Sequence, residues 1–275
     1  MNSEIASWMI RMLKGAFIGT GFIMPGISGG ALAAVFGLYE RMINFLADIR
    51  KDFKDNFFFF LPVGIGGLLG LFVFSVVLSI FFEMAETQIK WFFIGCIAGT
   101  LPSLWKQAGR GGRQNGHVAA LIICFIVCLL FLISADAAIG GEMPLNIYTW
   151  LFTGALIAFG VVVPGLSTST LLIFLGLYAP MMRGIADLDL FMIIPIGVGG
   201  AVTIIMFSRA MSYLLNKAYN MFFHGIIGFV LASTILIIPT EYNYISMGGL
   251  VSLFVFFLGG LLGLWMCRLE EKQKK

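Results

Sequence analysis

Charge is what this sequence has least of. Only 11% of its 275 residues are Asp, Glu, Lys or Arg, against roughly 25% in soluble domains. With 17 basic and 14 acidic residues, a net charge of +3 and no basic stripe, it is not a nucleic-acid-binding chain. Cysteine is also scarce. Cys96, Cys124, Cys128 and Cys267 all sit in apolar stretches, which argues against a disulfide-stapled secreted module and reads as small residues of a membrane core. There is no phosphate-gripping GxxxxGK, no cluster of metal-ligand type and no nucleophile beside a base. No ATPase, hydrolase or other enzyme is indicated, and no cofactor or metal is implied. Half-polar strands of about ten residues are missing, which excludes an outer-membrane barrel. The first 25 residues lack a small-residue cleavage site and run on into more apolar sequence, so they do not read as a signal peptide.

Apolar residues are abundant instead. They make up 60% of the chain, the 28 Phe outnumber all Lys and Arg together, and the mean hydropathy is +0.99. A soluble globule has too little interior to hide this much apolar surface, so the surrounding medium must be lipid. A helix rises about 1.5 Å per residue and needs roughly 20 residues to cross a core of about 30 Å. Runs of that length are expected at 57–82, 118–139, 190–215, 221–238 and 246–266, with a shorter one, broken by Pro102, at 91–105. The predicted fold class is an all-α polytopic membrane protein.

Two apolar stretches, 8–47 and 147–186, differ from the rest. Each is long enough for two crossings, yet each is interrupted in its middle, by FIMPGISGGA at 22–31 and by VVVPGLSTST at 161–170. Pro25 and Pro164 remove a backbone donor and disfavour helix in the preceding residue, while the following Gly tolerates a turn. A loop at the membrane surface would carry polar or charged groups, and neither break holds a charge. The expectation is a re-entrant hairpin of two half-helices in each stretch.

The two breaks are copies. At an offset of 139, residues 15–39 and 154–178 are identical at 11 of 25 positions, including Pro25/Pro164, Gly26/Gly165, Ser28/Ser167, Gly37/Gly176 and Tyr39/Tyr178. After a six-residue slip, PVGIGG at 62–67 matches PIGVGG at 195–200. Apolar composition alone would not align Pro-Gly-x-Ser and Gly-Leu-Tyr in register. The chain therefore divides into repeats 1–140 and 141–275, each a hairpin plus three spans. An odd number of spans turns the second copy upside down, the inverted plan of many secondary transporters. The positive-inside rule agrees. With the first hairpin opening to the cytoplasm, the loop Glu83–Glu86 lies outside and the second hairpin opens outward. Fourteen of the 17 basic residues, with both termini, are then cytoplasmic. Lys90 and Arg183 are external, and Arg209 lies within a span.

Irregular backbone at membrane depth persists only where protein or a water-filled cavity satisfies it. Just after Ser28 and Ser167 a half-helix begins. The free amides of Gly29, Gly30 and Ala31, and of Thr168, Ser169 and Thr170, then point to the midplane, a setting suited to an anion such as phosphate. Gly26 and Gly165 allow close approach. Tight helix packing is the competing role for such glycines, and it suits Gly66/Gly70, Gly95/Gly99 and Gly259/Gly263. A charge inside lipid costs about 2.5–3.5 kcal/mol, so Arg209 is either an anion ligand or a snorkelling side chain. Glu40, Arg41 and Arg183 are placed at the membrane rims to guide a charged head group or to anchor the chain. Tyr39 and Tyr178 read as interface-belt residues, and His224 as a packed or hydrogen-bonded histidine.

The MPGISGG motif at 24–30 with FGLYE at 36–40, echoed by VPGLS at 163–167 and LGLY at 175–178, resembles the polyprenyl-phosphate transporter (PopT-type) family. The resemblance spans nearly the whole chain. It implies flipping of undecaprenyl phosphate from the outer to the inner leaflet of the bacterial cytoplasmic membrane, recycling the carrier lipid for peptidoglycan and other envelope polymers. A coupling ion, H+ or Na+, is compatible with it but not named by it. The second motif departs from Ser-Gly-Gly, which implies unequal shares in holding the phosphate. A channel or secondary transporter for a small soluble anion, and a non-transporting scaffold or insertion factor, are the alternatives from other classes.

Overall fold

The computed structural model describes the chain apart from residues 1, 25–31, 34, 39–40, 43–44, 46–49, 51, 140–142, 163–167, 241 and 274–275. Within helices it leaves aside the side chains at 2–3, 22, 136, 138–139, 161–162, 208–212, 214–216 and 270–273. The described residues are almost entirely helical, with no strand among them. In chain order the helices are α1 (Asn2–Ile23), α2 (Phe53–Ala108), α3 (Asn115–Ile139), α4 (Ile147–Val162), α5 (Ser169–Phe174), α6 (Tyr178–Ala186), α7 (Leu190–Lys217), α8 (Tyr219–Leu236) and α9 (Met247–Gln273). Five of them (α2, α3, α7, α8 and α9) contain stretches long and apolar enough to cross a membrane. Outward-facing Leu68, Val73, Ile123, Phe131, Ile205 and Phe254 are exposed, as lipid-facing positions must be. This is a multi-pass α-helical membrane protein.

The runs at 57–82 and 91–105, expected as two helices that reverse at Glu83–Glu86, are the two arms of α2, which meet at a kink at Ala85, whose φ −153° and ψ 48° leave the helical region. Straight, it would extend roughly 84 Å at about 1.5 Å per residue. It turns back instead. The rings of Phe82 and Phe93 lie 6.1 Å apart, where eleven residues of straight helix would separate them by about 16 Å. The acidic segment Glu83–Glu86 is a bend, too short to be a loop.

Packing repeats at the repeat-matched positions. A Cβ on Gly15 would collide with the Val63 carbonyl, and one on Gly154 with the Ile196 carbonyl. Gly66 meets Met12 in the same way, as Gly199 meets Leu151. Thus α1 crosses the first arm of α2 as α4 crosses α7, backbone against backbone, because small residues let two helices approach closely. The assignment of Gly66, Gly70, Gly95, Gly99, Gly259 and Gly263 to packing holds at each position, since every one abuts backbone of a neighbouring helix. The remaining helices are exchanged between halves. Gly95 and Gly99 on the second arm of α2 face Phe256 and Gly260 of α9, while Gly228 of α8 faces Leu121 of α3.

The turn after each break repeats too. Gly37 and Gly176 both have φ +69°, a region glycine reaches at no steric cost. Leu38 N donates to Ala33 O and Leu177 N to Leu172 O, each at 2.8 Å, the six-to-one bond that closes a helix C-terminus. Where the halves meet, Ile23, Leu78, Phe82 and Phe93 pack with Trp150, Leu172, Tyr178, Met182 and Met192 in one buried cluster.

Candidate functional site

The first break, with Pro25, Gly26, Ser28, Gly29 and Gly30, lies outside the described residues, as do Tyr39 and Glu40. So do Pro164, Gly165 and Ser167 of the second. The flanks of both breaks are described, and they come together. Ile23 is the last residue of α1, two residues before Pro25, and carbonyls at a helix C-terminus take partners from outside the helix. Two hydroxyls from just beyond the second break reach it. Tyr178 Oη donates to Ile23 O at 2.7 Å and Ser169 Oγ donates to it at 3.3 Å. A carbonyl oxygen has two lone pairs and can take both. The approach to the first break is thereby tied to the exit from the second.

The wall on the α5 side is polar and dry. Thr168, Ser169 and Thr170 are 7%, 8% and 1% exposed, three consecutive hydroxyl residues inside an otherwise apolar core. Thr168 stands at the N-terminus of α5 with no side-chain cap bond. Arg209 belongs to α7, and its side chain lies outside the described residues.

Tyr178 is not a belt residue. It is 1% exposed, with its ring against Phe82 and Phe93 at centroid distances of 5.5 and 5.7 Å. The left-handed Gly176 turn feeds α6 inward, carrying Tyr178 into the core instead of to the rim. His224 is fully buried, with Nδ1 2.7 Å from the Asn220 carbonyl. A carbonyl only accepts, so Nδ1 carries the hydrogen; Nε2 is buried with no partner among the described residues.

Four charges gather beside Tyr178. Arg183 of α6 pairs with Glu83 at 2.8 Å, and Lys90 pairs with Glu86 at 2.6 Å. They line a cavity of about 310 Å³ whose floor includes Tyr178 and Gly176. A neighbouring cavity of about 360 Å³ shares Lys90 and Ile173 with it. The bend at Ala85 creates this arrangement by turning Glu83 and Glu86 toward α6. Of the rim residues, Arg183 thus meets a partner from the other half of the chain. Arg41 lies elsewhere, over the ring of Phe59. Glu83, Glu86 and Lys90 were not singled out as site residues. The signal available was their shared placement with Arg183 on one side of the membrane.

A family model described as undecaprenyl phosphate translocase-like matches residues 18–249, which takes in both breaks, both Gly-Leu-Tyr turns and the charged cavity. The chain belongs to that family. Among relatives of the undecaprenyl phosphate translocase-like family, a protein of Staphylococcus aureus named polyprenyl-phosphate transporter is 28% identical over 278 residues, covering 96% of this chain and 98% of its own. A Vibrio cholerae protein of the same name is 23% identical over 234 residues, covering 79% of this chain and 73% of its own. The resemblance carried by the MPGISGG and GLY motifs is therefore one of descent along nearly the full chain. No solved structure matches it.

Proposed function

We propose that this protein moves a polyprenyl phosphate, undecaprenyl phosphate in particular, across the bacterial cytoplasmic membrane from the outer to the inner leaflet, returning the carrier lipid to cell-envelope and peptidoglycan synthesis. The observation that carries the reading is the pair of bonds from Ser169 and Tyr178 to Ile23. They hold the flanks of two uncharged Pro-Gly breaks against each other in a chain whose relatives are named for this transport. Opposed half-helix N-termini offer amide donors and the positive end of a dipole to a phosphate. The phosphate would be held by Gly26, Ser28, Gly29, Gly30, Gly165, Ser167, Thr168 and Ser169, with Arg209 as counter-charge. The prenyl tail stays in lipid while the head crosses through a cleft open sideways.

The mechanism is alternating access. The two repeats, 1–140 and 141–275, run in opposite senses as hairpin-plus-three-span units and rock about the shared breaks. The Arg183–Glu83 pair closes one mouth when the other is open. Head-group movement carries charge through the membrane potential, so H+ or Na+ can drive it. Both termini are cytoplasmic. Reconstitution in proteoliposomes tests the core of this reading. The protein should speed exchange of undecaprenyl phosphate between leaflets, and Ser28→Leu with Ser167→Leu should abolish that exchange. Unaccelerated exchange by the intact protein refutes the reading. Equal transport of inorganic phosphate would favour a soluble-anion carrier instead.

A further inference from the structure

We propose that Arg11 and Arg41, both over the Phe59 ring, together with Lys14 one turn along α1 from Arg11, form a binding site for a lipid-borne phosphomonoester, separate from the two breaks and located at the mouth of the first interrupted stretch. The inference rests on the transport reading for the identity of the lipid and adds a docking station to it. Three segments converge there. Helix α1 brings Arg11 and Lys14 one turn apart; the segment following Gly37 brings Arg41; the first turns of α2 bring Asn56 and Phe59. The Arg41 and Arg11 guanidinium carbons lie 3.6 and 4.8 Å from the centroid of the same Phe59 ring. Arg41 Nε donates to Asn56 Oδ1 at 3.0 Å, an Arg11 terminal nitrogen to Phe59 O at 3.2 Å, and Lys14 Nζ to Phe36 O at 3.0 Å.

All these partners are neutral. Among the described residues no carboxylate comes within ion-pair distance of Arg11, Lys14 or Arg41, whereas at the other mouth Arg183 and Lys90 are each paired with a glutamate. The cations are thus positioned by a ring, a side-chain amide and carbonyl dipoles, and no carboxylate among the described residues cancels their charge. A guanidinium has five N–H donors and an ammonium three, so each keeps donors for a ligand. Forked arginines and a point-charge lysine suit phosphate oxygens. Three positive charges meet a group carrying about −1.5 to −2 near neutrality.

The duplication supplies an internal control. At the repeat offsets, Trp150, Thr153 and Pro180 stand where Arg11, Lys14 and Arg41 do, and Met192 stands for Phe59. Trp150, Thr153 and Met192 are 6%, 0% and 1% exposed. The same helix crossing, Gly154 on Ile196 as Gly15 on Val63, therefore closes without any cation. The scaffold does not need the charges. A snorkelling anchor requires a cation near the interface, but not the convergence of three segments on one ring. Exposed Leu13, Phe17 and Phe58 flank the cluster, an apolar bed along which a prenyl chain can lie. That favours a lipid-borne phosphate over a free one.

The test uses the full-length protein in nanodiscs and compares binding of a fluorescent polyprenyl phosphate with that of the matching polyprenol. Inorganic phosphate serves as competitor. The combined variant Arg11→Met, Lys14→Met, Arg41→Gln should weaken polyprenyl-phosphate binding at least tenfold and leave polyprenol binding unchanged. Arg41→Lys should fall between the wild type and Arg41→Gln. Inorganic phosphate should compete only at far higher concentration. Unchanged phosphate-lipid affinity in the combined variant, equal loss for both lipids, or displacement by inorganic phosphate at matched concentration would each overturn the proposal. Cysteine accessibility of the termini reports that topology is retained. Leaflet exchange by the wild type, measured alongside, separates the outcomes: failure there sinks the transport reading, while normal exchange with an unaffected variant sinks only this site.

Discussion

Ile23 offers a carbonyl to two hydroxyls at once, and that redundancy has a measurable signature. In Tyr178→Phe the Ser169 hydroxyl still satisfies the carbonyl, and in Ser169→Ala the Tyr178 hydroxyl does. Either single change should cost about 1 kcal/mol, the net value of one hydrogen bond, whereas the double variant leaves a buried acceptor unpaired and adds roughly 1–3 kcal/mol more. A double-mutant cycle by denaturant titration in detergent should therefore show clear non-additivity. Additive losses would mean that the two hydroxyls do not share one acceptor. Ser169 was legible in the sequence as a member of the break motif. Tyr178 was legible as a repeat-matched residue but was assigned to the membrane interface. A tyrosine after Gly-Leu looks the same in sequence at a rim or in a core, and only the left-handed turn at Gly176, with the residues it faces, decides between them.

Glycine positions in the helices divide sharply by what they face. Gly66 and Gly199 sit against the Met12 and Leu151 carbonyls, while Gly64 and Gly197 have nothing within 4 Å. Gly66→Ala and Gly199→Ala should each destabilise by on the order of 3 kcal/mol, since the methyl meets backbone that cannot rotate away. Gly64→Ala and Gly197→Ala should be neutral or stabilising by up to about 1 kcal/mol through helix propensity. Thermal unfolding in detergent distinguishes the two sets, and equal behaviour would refute the crossing geometry. The crossing at Gly66 was readable from its Gly-x-x-x-Gly spacing with Gly70, while the one at Gly199 carries no such spacing. Which glycine faces a neighbour was not readable, because period and composition are the same on both faces. The reversal at Glu83–Glu86 was legible from its charges, but its form, a tight kink at Ala85, was not, because helix propensity stays favourable through the segment.

The Arg183–Glu83 pair and the cations around Phe59 differ in their charge partners, and this makes the proposed alternating access testable. The Arg183–Glu83 pair is more than half exposed, so breaking it should change stability by no more than about 1 kcal/mol. If the pair closes a mouth during transport, its effect lies in the cycle. In a background without the four native cysteines, Glu83→Cys with Arg183→Cys should form a disulfide under oxidation and stop leaflet exchange, with recovery on reduction. Continued exchange by the cross-linked protein would remove this mouth from the pathway. Exchanging the charges, Glu83→Arg with Arg183→Glu, should restore most of the exchange lost in Arg183→Glu alone.

From residue order alone came the solvent, the helical class, the register of the matched motifs and the family. Each of these rests on composition or on local spacing, which any folded arrangement must carry unchanged. Three-dimensional packing decided the rest. It brought Ile23 to Ser169 and Tyr178 across more than 140 residues and set α2 against α9 and α3 against α8. It also set Arg11 and Arg41 on one ring, with Lys14 on the Phe36 carbonyl, where the duplicate has a buried tryptophan and methionine. Those pairings depend on which faces meet, and a lipid-embedded helix, apolar all round, does not write its facing direction into its sequence.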